Sequence, residues 1–285
     1  MNKTTMILGG VLMAAVVTGG CLCRCTCAQD RKFFPGDPTP IAPTEKIALF
    51  NGKDYDRWDL WMKEAPYAKS AQEVFTVKDG AMHVTGEGYG GCTTKQAYKD
   101  YHLKMQFRYV GQGFANRAEK AADGGLLFHC VGPEGLYGGI WHLSFECNII
   151  QGATGDLIVV GDKKGKPGVY RCKGLVDPAT CGKRCQRWSP DGVTIELVDG
   201  RRIRRPDVDL EWKNLKTQAL SPNEKPIGEW NKAEVVCNGD RLEFFFNGMK
   251  TGEYWDVQPT GGRIQLQSEG FGIEYRNITI EPLRQ

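Results

Sequence analysis

The sequence predicts an all-β domain folded as a two-sheet antiparallel sandwich of the jelly-roll kind. Apolar and polar residues alternate in about a dozen short stretches, the period of half-buried strands. Turn-forming pairs such as Asp79-Gly80, Asn238-Gly239 and Asn247-Gly248 separate them, in a chain with 36 glycines. No stretch carries the helical period over three turns, so the strands can cover their apolar faces only with one another. The 285 residues are 41% hydrophobic and 25% charged, which excludes a disordered chain, a coiled coil or a collagen-like fibre. A net charge of +3 leaves no broad basic field for nucleic acid.

At the N-terminus, Lys3 precedes an apolar run from Met6 to Val17 and the small residues Gly19-Gly20-Cys21. Residues 1–28 read as an export signal. The run is shorter than the roughly 20 residues of a spanning helix, and no other stretch approaches that length. Gly19-Gly20-Cys21 resembles the end of a bacterial lipobox, although Thr18 occupies a position usually held by Leu or Val. Two processing routes follow: lipid anchoring through Cys21, or cleavage after Ala28. Either places the protein in the periplasm or on the cell surface. Residues 29–46, with repeated prolines and no period, read as a tether, and the domain itself as residues 47–284.

Within the domain, Phe75 to Val84 forms a hairpin at Asp79-Gly80, where an Asp-Gly pair accepts positive φ. In Tyr101 to Tyr109 the residues Leu103, Met105, Phe107 and Tyr109 share one face. Strands follow at Gly125 to Val131, Trp141 to Ile150 and Asp156 to Val160. Residues 162–225 break this rhythm and read as an excursion from one edge. That excursion contains a hairpin from Val193 to Arg204 turning at Asp199-Gly200, and the run Arg201-Arg202-Ile203-Arg204-Arg205, read as a solvated hairpin leg that blunts the edge. Glu234 to Phe246 turns at Asn238-Gly239, Phe244 to Lys250 at Asn247-Gly248, and Arg263 to Leu266 and Ile273 to Ile280 complete the set.

Of eleven cysteines, four lie in the export segment and seven in the body. Cys172, Cys181 and Cys185 are close enough in sequence for a disulfide closing a short loop; a zinc site there lacks Cys-x2-Cys spacing and a neighbouring His. Cys130, Cys147 and Cys237 sit in apolar runs as small hydrophobes. The odd body count leaves one thiol free, with Cys147 and Cys130 the favoured positions.

Candidate site residues concentrate on the later strands. Glu146 and Asn148 are two apart and point to one face, with Gln151 beyond them. Gln265 and Gln267 share a face likewise. Trp141, beside Gly138-Gly139, is the tryptophan best placed to stack on a sugar ring, ahead of Trp61 and Trp58. His129 and His142, with Asp156 or Glu146, could hold one divalent cation; no spacing requires it, and no cofactor is demanded. Asp156 follows Gly155 and could equally cap a turn.

The ordered succession of several segments carries a resemblance. These are Leu49-Phe-Asn-Gly-Lys-Asp-Tyr-Asp-Arg-Trp58, Thr94-Lys95 before Tyr98 to Arg108, Asp123-Gly-Gly-Leu-Leu-Phe-His129, and Ser144-Phe-Glu-Cys-Asn148 leading to Gly155-Asp156. Gly228-Glu-Trp-Asn231, Gly262-Arg-Ile-Gln-Leu-Gln-Ser-Glu-Gly270 and Tyr275-Arg-Asn-Ile-Thr-Ile280 follow. Over roughly residues 47–284 the chain resembles the 3-keto-disaccharide hydrolase family. The resemblance implies a concanavalin A-like sandwich and action on glycosides oxidised to a ketone at C3. Ordinary retaining hydrolysis needs two carboxylates, whereas the strand of Glu146 offers one. A C3 ketone acidifies the C2 hydrogen, so a single base can start elimination of the C1 leaving group, with water adding later.

On that reading Glu146 is the base, and His129, at a family position often held by Arg or His, binds the ketone oxygen or shuttles a proton. Lys95 is a further candidate for the ketone oxygen. Asn148, Gln151, Asp156, Gln265, Gln267, Trp141, Asp123 and Glu269 complete the sugar site. Asp123 stands where the family often has Asn, and Glu269 where it often has His. Two alternatives stay open: Glu146 paired with a cation across the sheet, and His129 as a core histidine. The rival function is a non-catalytic, lectin-like carbohydrate-binding module.

Overall fold

Side-chain alternation becomes strand burial in the computed structural model, which describes residues 34–64, 69–114, 117–161, 170–183, 186–208 and 220–284. The elements are β1 (Ile47–Ala48), β2 (Trp58–Met62), the single-turn helix α1 (Ala71–Val74), β3 (Phe75–Lys78), β4 (Ala81–Val84), β5 (Tyr89–Thr94), β6 (Tyr101–Gly113), β7 (Asp123–Val131), β8 (Leu143–Ile150) and β9 (Leu157–Val160). They continue with β10 (Arg171–Val176), β11 (Gln186–Arg187), β12 (Val193–Val198), β13 (Arg202–Arg204), β14 (Asn231–Asn238), β15 (Arg241–Phe246), β16 (Met249–Gln258), β17 (Arg263–Glu269) and β18 (Phe271–Pro282).

Two sheets result, as the sequence predicts. One runs β12-β10-β16-β15-β14-β6-β18-β4-β3, with β1 on β18; the other runs β11-β13-β9-β8-β7-β17-β5-β2. The two sheets pack face to face as a sandwich around one core. Its core lies between the sheets: Leu103, Met105 and Phe107 of β6 and Phe244 and Phe246 of β15 meet Leu126 and Phe128 of β7 and Phe145, Cys147 and Ile149 of β8, all within 2% of full burial. Trp58 is in this core too, its Nε1 donating to Leu49 O at 2.9 Å. The only helix among the described residues is closed at its start by Ser70 and Glu73, each bonding the other's backbone N–H, a capping box.

The hairpin at Asp79-Gly80 forms as expected, with φ of 50° and 74°, and Asn247-Gly248 likewise with 47° and 85°. At the third turn the centre moves one residue along: Asn238 pairs with Arg241, and Gly239-Asp240 make the loop. Only Gly239 there takes positive φ, 55°.

The expected hairpin from Val193 to Arg204 does not form. β12 pairs with β10 in the larger sheet, whereas β13 pairs with β9 and β11 in the smaller one, so the Asp199-Gly200 turn carries the chain from one sheet to the other. The strands of this stretch, β10 to β13, are accordingly the two outermost strands at one end of each sheet. The arginine run is not solvated throughout: Arg201 is exposed and Arg202 half-buried, but the run ends inside the protein. Arg204 and Arg205 are fully buried; buried guanidinium groups need carboxylate or carbonyl partners, and both find them: Arg204 Nη1 donates to Asp156 Oδ2 at 2.6 Å, and Arg205 donates from Nη1 to Thr154 O at 2.9 Å and from Nη2 to Asp207 Oδ2 at 2.8 Å.

Residues 34–46 are not a free tether. Asp37 accepts the Gly132 N–H at 2.9 Å, Gln96 Nε2 donates to Thr39 O at 3.0 Å, and Ile41 bridges to Tyr98. Prolines remove donors, and the segment docks through the Asp37 carboxylate, the Thr39 carbonyl and the Ile41 N–H, which donates to Ala97 O at 3.0 Å. The export segment lies outside the described residues. No described helix is long and apolar enough to cross a membrane.

Cys172 is buried on β10 and free, and Cys181 is exposed and free. Any disulfide among Cys172, Cys181 and Cys185 would use one of these two, so the expected loop closure is not made. Alternation turns Cys172 toward the core, away from the exposed turn of Cys181. Cys185 itself is outside the described residues. The single unpaired thiol expected from the odd count is also corrected: Cys130 and Cys147 are free and buried, but so are Cys92 and Cys237, and all six described body cysteines are unpaired.

Candidate active site

β8 positions the central side chains. Its odd residues Phe145, Cys147 and Ile149 enter the core, so its even residues Ser144, Glu146 and Asn148 face outward. That outer face is nevertheless covered: Glu146 is 5% exposed and Asn148 2%. The loops after β6 and β7 reach over it, through Arg117 to Asp123 and Glu269 and through Glu134 to Thr93 and Gln265. A sheet face of polar residues roofed by loops is a cleft floor, not a solvated surface.

Strand register arranges the floor in rows. One row reads Arg202, Ile158, Glu146, Leu127, Gln265, Thr93 and Asp59 from β13 to β2. The next pairs Asn148 with Gly125, and Gln267 with Gly91 and Trp61. A Cβ at Gly125 would overlap Gln267 Oε1 and approach Glu146 Oε1 to 2.9 Å. Glycine in this strand therefore makes room for both groups.

Burial pushes the Glu146 carboxyl up to about 8, the negative charges of Asp123 and Asp156 adding to the effect and Arg202 and Arg117 opposing it. Beside it, Asn148 Nδ2 is a buried donor with no hydrogen-bond partner, and Gln265 Oε1 and Gln267 Oε1 are buried acceptors in the same condition. Unmet donors and acceptors on one roofed face are the features a hydroxylated ligand satisfies.

Asp123 and Glu269 share the guanidinium of Arg117: Glu269 Oε1 is 3.0 Å from Arg117 Nη2, and Asp123 Oδ2 contacts the same nitrogen. Burial pushes both carboxyls up, Asp123 to about 6, because one cation cannot neutralise two buried anions. Glu269 thus joins the cleft as a second carboxyl, but one tied to arginine. Gln151 lies at the end of β8, half-buried, its Oε1 within 3.5 Å of the Ala122 N–H. Trp141 is half-buried and set edge-on to Tyr89, 6.2 Å between centroids.

Three expected site residues are placed elsewhere. His129 does not face the cleft: a bulge between Phe128 and Val131 and a φ of 53° turn its ring into the core against Tyr101, Phe128 and Phe145. Burial lowers its pKa to about 4, so it is neutral at pH 7, with Nδ1 donating to Pro259 O at 3.0 Å. Asp156 is fully buried and committed: Oδ2 accepts from Arg204 Nη1 at 2.6 Å and Oδ1 from the Arg205 N–H at 2.9 Å. It is neither a turn cap nor a free sugar ligand. Lys95 is exposed, its Nζ donating to Asp56 O at 2.8 Å, where it ties down a loop. With His129 and Asp156 so placed, the cation set read from the sequence does not converge, and no group of three or more metal-binding side chains forms among the described residues.

One functional element has no counterpart in the sequence reading. Glu134, in the glycine-rich loop after β7, accepts Thr93 Oγ1 at 2.8 Å and Gln265 Nε2 at 2.8 Å, with His142 Nε2 2.8 Å from its Oε1. Burial alone would raise its pKa, but these contacts outweigh burial and hold the carboxyl below its ordinary value.

The profile of the 3-keto-alpha-glucoside-1,2-lyase-like domain matches residues 45–281. The chain belongs to that family. As a lyase-like domain it is a carbohydrate-acting protein. Among solved structures it is similar to a Parabacteroides distasonis protein provisionally assigned as a glycosyl hydrolase, at 19% identity over 84% of this chain and 94% of that one, TM-score 0.46. A Bacillus licheniformis β-glucanase matches at 10% identity over 82% and 96%, TM-score 0.41. The carbohydrate-binding module CBM66 of Bacillus subtilis matches at 10% over 73% and 90%, TM-score 0.41. No curated protein sequence matches the chain.

Proposed function

We propose that the domain cleaves the glycosidic bond of 3-keto-glycosides by elimination followed by hydration. The observation that supports it is the pairing of Glu146 with the unpartnered Asn148 Nδ2, two residues apart on one roofed face. Carbon acids are weak, so a base of raised pKa suits the task. Glu146 takes the proton from C2, the electron pair flows into the C3 carbonyl, and Asn148 Nδ2 donates to the enolate oxygen that forms. The enolate then expels the C1 oxygen. Water adds at C1 of the resulting enone and Glu146 returns the proton to C2.

Arg202, in the same row as Glu146, favours the ionised base. Gln265 and Gln267 offer acceptors to the sugar hydroxyls, and Trp141 and Tyr89 form the aromatic rim. Export, with anchoring through Cys21 as one route, places this chemistry outside the cytoplasm. No metal enters these steps.

The test compares a 3-keto-glucoside with its unoxidised parent. Aglycone release from the keto compound alone is expected, and kcat/KM on a nitrophenyl 3-keto-glucoside, whose leaving group departs without a proton, should rise with pH and level above about 8 as Glu146 ionises. Release from the parent, or a rate that falls through that range, would overturn the reading. Binding of both sugars without turnover would assign the cleft to a lectin-like module.

A further inference from the structure

Elimination needs a second proton-transfer group, because an alkoxide leaving from C1 must be protonated as the bond breaks. Most titratable groups of the cleft floor are already occupied. Asp123 and Glu269 are bound to Arg117, and Asp156 to Arg204. His129 is in the core, and Glu146 is the base. His142 remains.

Its backbone precedes β8, in phase with Ser144, Glu146 and Asn148, so it shares their outward face. The ring is fully buried, and neither ring nitrogen has a hydrogen bond of good geometry. Nε2 nevertheless lies 2.8 Å from Glu134 Oε1, an ion-pair contact off the hydrogen-bond axis. Glu134 is itself fixed by Thr93 and Gln265, so its position is set independently of His142. A carboxylate so held orients the ring. Gln265 lies two strands from Glu146 across Leu127, roughly 10 Å at the usual strand spacing. Glu146 and Gln265, the residue that helps fix Glu134, thus lie in one row of the floor with Leu127 between them.

We propose that His142, positioned by Glu134, donates the proton to the oxygen leaving C1. The step balances. Glu146 takes one proton from C2, His142 gives one to the leaving oxygen, and the added water supplies hydroxide to C1 and a proton that restores His142. The assignment rests on the cleavage reading above. It gives His142 the role that the sequence suggested for His129.

Leaving-group dependence tests it. A nitrophenolate needs no proton to depart, whereas an alkoxide does. His142→Gln is expected to lower kcat/KM on an alkyl 3-keto-glucoside by about 10²-fold or more and on the nitrophenyl compound by no more than about threefold. Glu134→Gln should give the same pattern with a smaller loss. In the wild type, rates should depend only weakly on leaving-group acidity across a series of aryl and alkyl 3-keto-glucosides, a measurement independent of whether the variants fold. Equal losses on both substrates, no loss on either, or a steep wild-type dependence would overturn the proposal. A wild type that turns over neither keto substrate would instead refute the cleavage reading on which it stands.

Discussion

Glu146→Gln is expected to lower turnover of a 3-keto-glycoside by about 10³-fold while making the folded protein more stable at alkaline pH. The two effects have one cause. Burial holds the Glu146 carboxyl up to about 8, far above its value in an unfolded chain. Below the unfolded value both states are protonated and the residue has no pH-dependent cost. As pH rises from there through about 8 the unfolded state ionises first, and stability is lost across that window. The amide has no proton to lose, so the variant escapes this loss, by an amount on the order of 4 kcal/mol once both states would be ionised. Thermal unfolding of both proteins at pH 4 and pH 9 checks it. The gap should be small at the lower pH and open at the higher. If Glu146 were the structural partner of a cation across the sheet, the variant would be less stable at both.

Asp156→Ala should do the opposite. Asp156 is a fully buried carboxylate that accepts from Arg204 Nη1 and from the Arg205 backbone. Removing it takes the carboxylate partner from a guanidinium that is itself buried, a change that costs about 3 to 5 kcal/mol. Denaturant unfolding should show that loss in the midpoint. A variant as stable as the wild type, but with weakened sugar binding, would return Asp156 to the ligand role that its sequence position suggested.

These two carboxylates show how far the sequence reaches. Period-2 alternation is a local property, so the strand character of Leu143–Ile150 and the shared face of Glu146 and Asn148 could be read directly. The same rule placed Gln265 beside Gln267. His129 defeated it because a single bulge in β7 inverts side-chain direction, and no residue pattern in Phe128-His129-Cys130 marks the bulge. Asp156 and the arginine run were misjudged together. Each is a charge that reads as exposed, and only the passage of the chain between sheets at Asp199-Gly200 brings them into mutual burial.

Glu134 was invisible for a different reason. It sits among glycines with no period, and its contacts with Thr93 and Gln265 span 41 and 131 residues. Long-range contacts made by loops leave no local trace. His142 was noticed only as a metal ligand, since its partner was not. Family resemblance suggested the substrate class, and it also drew attention to a histidine that the fold buries in the core.

The most direct test of the account is the fate of the C2 hydrogen. When a 3-keto-glycoside is cleaved in D2O, proton abstraction and later reprotonation should leave deuterium at C2 of the released 3-keto sugar, beyond the exchange in an enzyme-free sample of that product. Mass spectrometry of the product reads this at once. Product that retains hydrogen at C2 at the enzyme-free level would mean that the C1 bond breaks without a C2 base, and the role given to Glu146 would be wrong.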